Sequence, residues 1–310
     1  MPQEPLLTWW EPVTQYLEFL SVFLPAGAVG FRYSSLRAGL AEGDSVYQDA
    51  ARRAAGIGLA GTVIGAVLLA RALPALAARR HVTVTALVVH NVQPALQLLL
   101  LTLAVIGFLM AQRRLASGWP LAAAGVVLGQ LRGILGGQWL RLVNPLHVLF
   151  GGLWIGTLFV LVVAGISAVL RDEPAGPRRG AIVADMVNRF SPLALVASGF
   201  LVLFGVITAW QHLRVLSALW TTPYGYALIA KLCVVLVVFG LGTWNWRRRR
   251  PALGSEDSAH AIRRSATGEL AAAAVVLACT AVLVSLPSPR EGRGAASASA
   301  PGRSPVEAPH

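Results

Sequence analysis

The chain has 310 residues, a net charge of +12, 55% hydrophobic side chains and only 13% charged ones. Soluble domains carry about a quarter charged residues, and with a mean hydropathy of +0.63 the composition excludes that class. Nor is the positive charge a nucleic-acid footprint. Arginine gathers in short segments between apolar runs, with no basic stripe interleaved with aromatics.

Runs of about 20 apolar residues are long enough to cross the roughly 30 Å hydrocarbon core of a bilayer. Eight runs follow one another at roughly 15–31, 54–70, 91–111, 119–140, 145–169, 190–210, 226–246 and 267–287. They predict an all-α, polytopic transmembrane helix bundle of about eight spans. Residues 1–140 would form an N-terminal four-helix half, 141–288 a second four-helix half and 289–310 an extracytoplasmic tail.

The opening MPQEPLLTWWEPVTQY carries Glu4 and Glu11 and no Lys or Arg, so it lacks the basic region of a cleavable signal. The first run is therefore expected to stay as a helix. In the third, VVHNVQP leaves helix, kink or loop open, because Pro94 interrupts the pattern. Between the fifth and sixth, RDEPAGPRRGAIVADMVNR is expected to be disordered or interfacial, with Ile182, Val183, Met186 and Val187 forming a short amphipathic turn. The Ala, Ser, Pro and Gly-rich tail from Pro287 has no apolar periodicity and is expected to be disordered.

Orientation follows from arginine. With the N-terminus outside, the inner segments hold roughly twice as many arginines as the outer ones, which favours both termini outside. The cluster from Arg71 to Arg80 is the one outer loop that fits poorly.

Ionisable groups inside spans are expensive and usually face the bundle interior. In this topology Glu18 lies near the outer end of the first helix, His90 before the third, His147 at the start of the fifth and His212 at the end of the sixth. His81 and His310 also fall outside, and only His260 falls inside. Imidazole binds copper, zinc and haem iron, so His90, His147 and His212 with Glu18 form a candidate metal-entry set. Each could equally be an interfacial histidine bonded to a loop carbonyl. Cys233 and Cys279 reach matching depth in the last two helices. Paired thiolates would suit Cu(I), although a free cysteine is often a small buried hydrophobe. Lys231 sits about 7.5 Å into its helix at 1.5 Å per residue. Asn245 and Glu269 come to similar inner depth, where they could hydrogen-bond, or Glu269 could pair with the run Arg247–Arg250. Arg132, within the fourth run, needs a partner, and Glu18 is one option. Gly152 and Gly156 make a GxxxG step, which lets membrane helices approach closely.

RFSPLALVASGFLVLFGVITAW, LSALWTTPYGYALIAKL, NWRRRRP and Glu269 follow in order. Together with the upstream LHVLFGGLWIGTLFVL they resemble the copper resistance protein D (CopD) family of bacterial membrane proteins, over about residues 145 to 287. The N-terminal helices resemble it mainly in number and in EFLSVFLPAGAVGFR. The chain departs from the family pattern at Tyr226, where a basic residue is expected, and at the Trp-flanked Asn245. The resemblance implies copper homeostasis at the bacterial inner membrane, a transport role rather than a catalytic one, beside a small periplasmic CopC-like partner. The chain carries no GxxxxGK[ST] motif for ATP, so movement would be passive or coupled to an ion gradient. Copper would be received by His147 with His90 and Glu18 or His212. Lys231, if charged, would repel the cation, so it is expected to pair with a carboxylate or orient the TTPYG turn. Two other readings stay open: a haem-b protein ligated by His90 and His147, and an assembly factor for a copper enzyme.

Overall fold

The structure, a computed structural model, describes residues 10–136, 139–171, 177–213, 217–248 and 256–285. Every regular element among them is helical. The expected tail and the RRRR run beyond Arg248 lie outside the described residues.

Helix α1 (Trp10–Tyr33) has Glu11 in its first turn and Arg32 in its last, the order that suits the helix dipole. A short α2 (Arg37–Ala41) turns the chain into α3 (Ser45–Arg79). Asp44 starts α3 by accepting the Val46 N–H at 2.9 Å. This helix overruns the expected 54–70 at both ends, because its alanine-rich flanks are good helix formers. Arg71 and Arg79, expected in a loop, therefore stand on the helix. Arg71 lies over the Trp10 ring, 5.3 Å from its centroid, and Arg80 donates to Asn91 at 2.9 Å. A guanidinium stacked on an aromatic at a membrane edge reduces the misfit of that cluster.

VVHNVQP resolves into the end of one helix and the start of another. α4 (Val84–His90) is capped by Thr83, which accepts the Ala86 N–H at 3.1 Å. α5 (Val92–Gln112) follows at once, with Pro94 in its first turn, where a missing N–H costs nothing. α6 (Gly118–Leu131) stops well short of residue 140; Arg132–Gly136 tighten into a 3-10 turn. Arg132 therefore sits at a helix end rather than inside a span.

The fifth apolar run is α7 (Leu140–Val169), which loosens into π-helical turns at Gly152–Gly156 and Leu161–Ile166. Then come α8 (Arg179–Leu213), α9 (Ala218–Thr221), α10 (Pro223–Arg248) and α11 (Glu256–Ser285). All eight expected runs centre on helices. Among the described residues, five stretches are long and apolar enough to cross a membrane: Ser45–Arg79, Val92–Gln112, Leu140–Val169, Arg179–Gln211 and Ala261–Val282. The protein is a membrane-spanning helix bundle.

One expectation is corrected by α8. Ile182, Val183 and Met186 are not part of an amphipathic surface turn; they are 6%, 0% and 0% exposed and belong to the core. The helix continues through them because its N-terminal part is held to α3. Tyr47 donates to Asp185 at 2.9 Å, and Arg189 reaches the same carboxylate at 2.7 Å.

At the centre lies α1, buried from Phe23 to Phe31 apart from Leu24 and packed against α3, α6, α7 and α11. The GxxxG step of α7 finds its partner here. A Cβ on Gly27 would collide with the backbone of Gly156, one on Gly156 with the Phe23 carbonyl, and one on Gly30 with Thr157. Small residues let two backbones touch, which in lipid replaces the missing hydrophobic drive with close packing. α5 and α6 meet in the same way through Gly107, Gly118 and Gly125, and Phe108 and Trp119 close that contact edge to face at 6.1 Å.

Candidate metal-entry site

His147 lies near the start of the α-helical part of α7 (Val143–Gly151) and is half-buried against α8. Its Nδ1 is 2.9 Å from the Leu201 carbonyl oxygen. A carbonyl can only accept, so Nδ1 carries the proton and a neutral ring presents its lone pair at Nε2. The same hydrogen bond fixes ring orientation, as backbone carbonyls do for metal-ligating histidines. The ring fits only because residue 205 is glycine: a Cβ there would stand 2.9 Å from the imidazole Cε1 and 3.3 Å from Nδ1. One turn further along α7, Phe150 stacks on Phe200 at 4.8 Å and Phe204 at 5.8 Å, which clamps the two helices beside the imidazole.

Lys231, on α10, is half-buried and within electrostatic reach of His147. Among the described residues it forms no ion pair with a carboxylate. The TTPYG segment turns out to be a helix start. Thr222 is extended, its hydroxyl accepts the Gly225 N–H at 3.0 Å, and Pro223 takes the first helical position. Tyr226, in place of a basic residue, donates its hydroxyl to the Trp220 carbonyl at 2.6 Å and ties α9 to α10.

The other candidates are distributed differently. His90 is exposed at the end of α4, which packs on α3 and α5. Glu18 is exposed on α1 and lines a cavity of about 360 Å³ with Ser21, Thr62, Gln97, Gln130 and Arg132. Arg132 donates to the Gly129 carbonyl and shares this cavity with Glu18, but the described residues hold no ion pair between them. Cys233 is exposed, Cys279 is half-buried, and both are free thiols. Glu269 faces α10 at Gly242, one turn before Asn245. The side chains of His212 and Asn245 lie outside the described residues. Among the described residues no three His, Cys, Asp or Glu side chains come together as a metal-holding group.

Gly205 and Leu201 escape a reading based on side-chain chemistry. Leu201 contributes only its backbone, and Gly205 signals itself only as a glycine inside an apolar helix.

The family described as copper resistance protein D matches residues 184–283. Copper transport protein CutJ of Bacillus subtilis (strain 168) is 32% identical over 152 residues, which is 48% of this chain and 26% of that protein. The alignment thus spans about a quarter of the relative's length. No solved structure matches. The family match begins inside α8 and runs through α9 and α10 into α11, so it includes Leu201, Gly205 and Lys231 but leaves His147 and α7 outside. Over residues 184–283 the chain is thus similar to the copper resistance protein D family.

Proposed function

We propose that the chain serves copper homeostasis by moving copper across a bacterial inner membrane, and that His147 receives the ion at the extracytoplasmic face. The observation that supports this reading is the Nδ1–H bond of His147 to the Leu201 carbonyl at 2.9 Å on the family-matched α8, which leaves the Nε2 lone pair for a metal. Imidazole is a good copper ligand in either common oxidation state. His90, His212 and Glu18 are the proposed further donors on the ion's route, and a CopC-like periplasmic protein is the proposed source. Lys231 has a specific part in this scheme. When protonated, it would oppose a cation held at His147 and shorten its stay, as passage requires. Cys233 and Cys279 are proposed only as deeper stops for Cu(I).

The experiment compares copper accumulation in cells expressing wild type or His147→Ala at equal membrane levels, with copper content measured on the purified protein. Copper binding should fall about 10-fold or more in His147→Ala. Gly205→Val, which displaces the ring without removing it, should lose about 10- to 100-fold in affinity, the range for lost orienting contacts. A Soret band that disappears in His147→Ala would assign the imidazole to haem b and sink the proposal. Unchanged copper accumulation with failed maturation of a copper enzyme would replace transport by assembly.

A further inference from the structure

Salt bridges mark one end of the bundle as rich in arginine. Asp49 binds Arg114 at 2.9 Å, Asp44 binds Arg178 at 3.3 Å and Asp185 binds Arg189 at 2.7 Å. Arg53 and Arg171 are exposed at the same end and, among the described residues, form no ion pair. They are not scattered surface charges. Both line a groove of about 560 Å³ between α3 and α7.

The two helices run antiparallel here, and each offers one face. On α3, Arg53, Gly56 and Ala60 recur at helical spacing; on α7 and the turn that closes it, Ala164, Ala168 and Arg171 do the same. Each arginine lies at the mouth and the small residues lie deeper along the helix. From Arg53 to Ala60 the groove descends about 10 Å at 1.5 Å per residue. Gly56, Ala60, Ala164 and Ala168 leave the space open because none has a side chain beyond Cβ. A charged mouth over an apolar cleft matches one class of molecule, an amphiphile with an anionic head.

We propose that this groove binds an anionic phospholipid, with Arg53 and Arg171 holding the phosphate and the small-residue cleft receiving the upper part of an acyl chain. Guanidinium forks match phosphate oxygens in two-pronged hydrogen bonds. Basic pockets between membrane helices on the cytoplasmic side are suited to phospholipid heads. The positive-inside bias places this end at that leaflet. Among the described residues the carboxylates Asp44, Asp49 and Asp185 are held by other arginines, and neither groove guanidinium pairs with a carboxylate.

The test titrates the full chain in detergent with short-chain phosphatidylglycerol, phosphatidylcholine and soluble glycerol phosphate, and follows bound lipid by native mass spectrometry. Phosphatidylglycerol should bind at least about tenfold tighter than phosphatidylcholine. Arg53→Gln and Arg171→Gln should each weaken it about fivefold, and the pair about 25-fold, as expected for one basic group each at a membrane surface. Ala60→Phe keeps both charges and fills the cleft from its exposed side, so it should also weaken lipid binding while the melting temperature stays near wild type; Ala60→Leu serves if it does not. Arg263→Gln with Arg264→Gln, on α11, should leave affinity unchanged. The proposal is overturned if that control lowers affinity as much as the groove pair, which would reveal diffuse charge attraction. It is equally overturned if glycerol phosphate binds as tightly as phosphatidylglycerol, or if the two lipids bind alike.

Discussion

Between α1 and α7, and between α5 and α6, helices meet backbone to backbone at glycines, whereas α8, α10 and α11 carry glycines that face open space, with large apolar side chains shown outward. Gly27, Gly107, Gly118, Gly125 and Gly156 each have a neighbouring backbone where a Cβ would go. Gly199, Gly240 and Gly268 have nothing within 4 Å of that position. Leu195, Val206 and Leu236 are 76%, 64% and 71% exposed. In a bilayer such exposure carries no hydrophobic penalty, so helices of the second region need fewer packing contacts to stay embedded. The family match falls on that open region. His147 belongs to the tight region and bonds across to the open one, so the proposed entry site lies on the seam between the two.

The harshest way to break this contrast is Gly156→Leu. Its side chain would enter the α1 backbone at Phe23, where neither helix can move without undoing the central crossing. Overpacking typically costs about 1–3 kcal/mol and sometimes more, and this site should reach about 3 kcal/mol or beyond. Loss of folded yield, or a sharply lowered melting temperature in detergent, is the readout. A variant that melts like wild type would erase the distinction. Gly125→Leu, pressed against the Ala104 N–H and the Leu100 carbonyl, should lose about 2 kcal/mol in the same assay, because α5 and α6 are joined to each other more than to the rest.

A milder probe is Asp185→Asn. It removes the charge that receives both Tyr47 and Arg189, at the tie between the N-terminal ends of α3 and α8. Half-exposed partners soften such losses, so about 1 kcal/mol is expected. Tyr47→Phe in the same background should add little, since the two changes delete one contact.

These contrasts explain what the sequence could and could not convey. Helices were legible because a bilayer core demands internal backbone hydrogen bonding, and the apolar runs mark where that demand applies. Helix ends were less legible: the alanine-rich flanks of α3 and the first turns of α8 continue past the apolar core, and only tertiary partners such as Asp185 reveal why. Depth along a helix was readable but direction around it was not. Cys233 and Cys279 share a depth, yet Cys233 is exposed while Cys279 is half-buried. His90 and Glu18 share one end of the bundle with His147, but His90 belongs to a helix packed on α3 and α5, and Glu18 to a separate cavity. Gly152 and Gly156 announced a close approach without naming α1 as the partner. The bond that orients His147 uses a main-chain carbonyl, which every residue has.

The gentlest change tests the open region itself. Gly199 is inside α8 with no atom near its missing Cβ. In a helix interior alanine is favoured over glycine by about 0.8–1.0 kcal/mol, chiefly because glycine loses more conformational freedom on folding. With no collision to offset that gain, Gly199→Ala should raise stability by about 0.5–1 kcal/mol, and Gly240→Ala and Gly268→Ala should behave alike. The same substitution at Gly125 would strike backbone and destabilise. A clear loss of stability at Gly199 in membranes, set against a gain in detergent, would mean that a second protein surface lies against this face of α8. The open region would then be an interface rather than a lipid-facing wall.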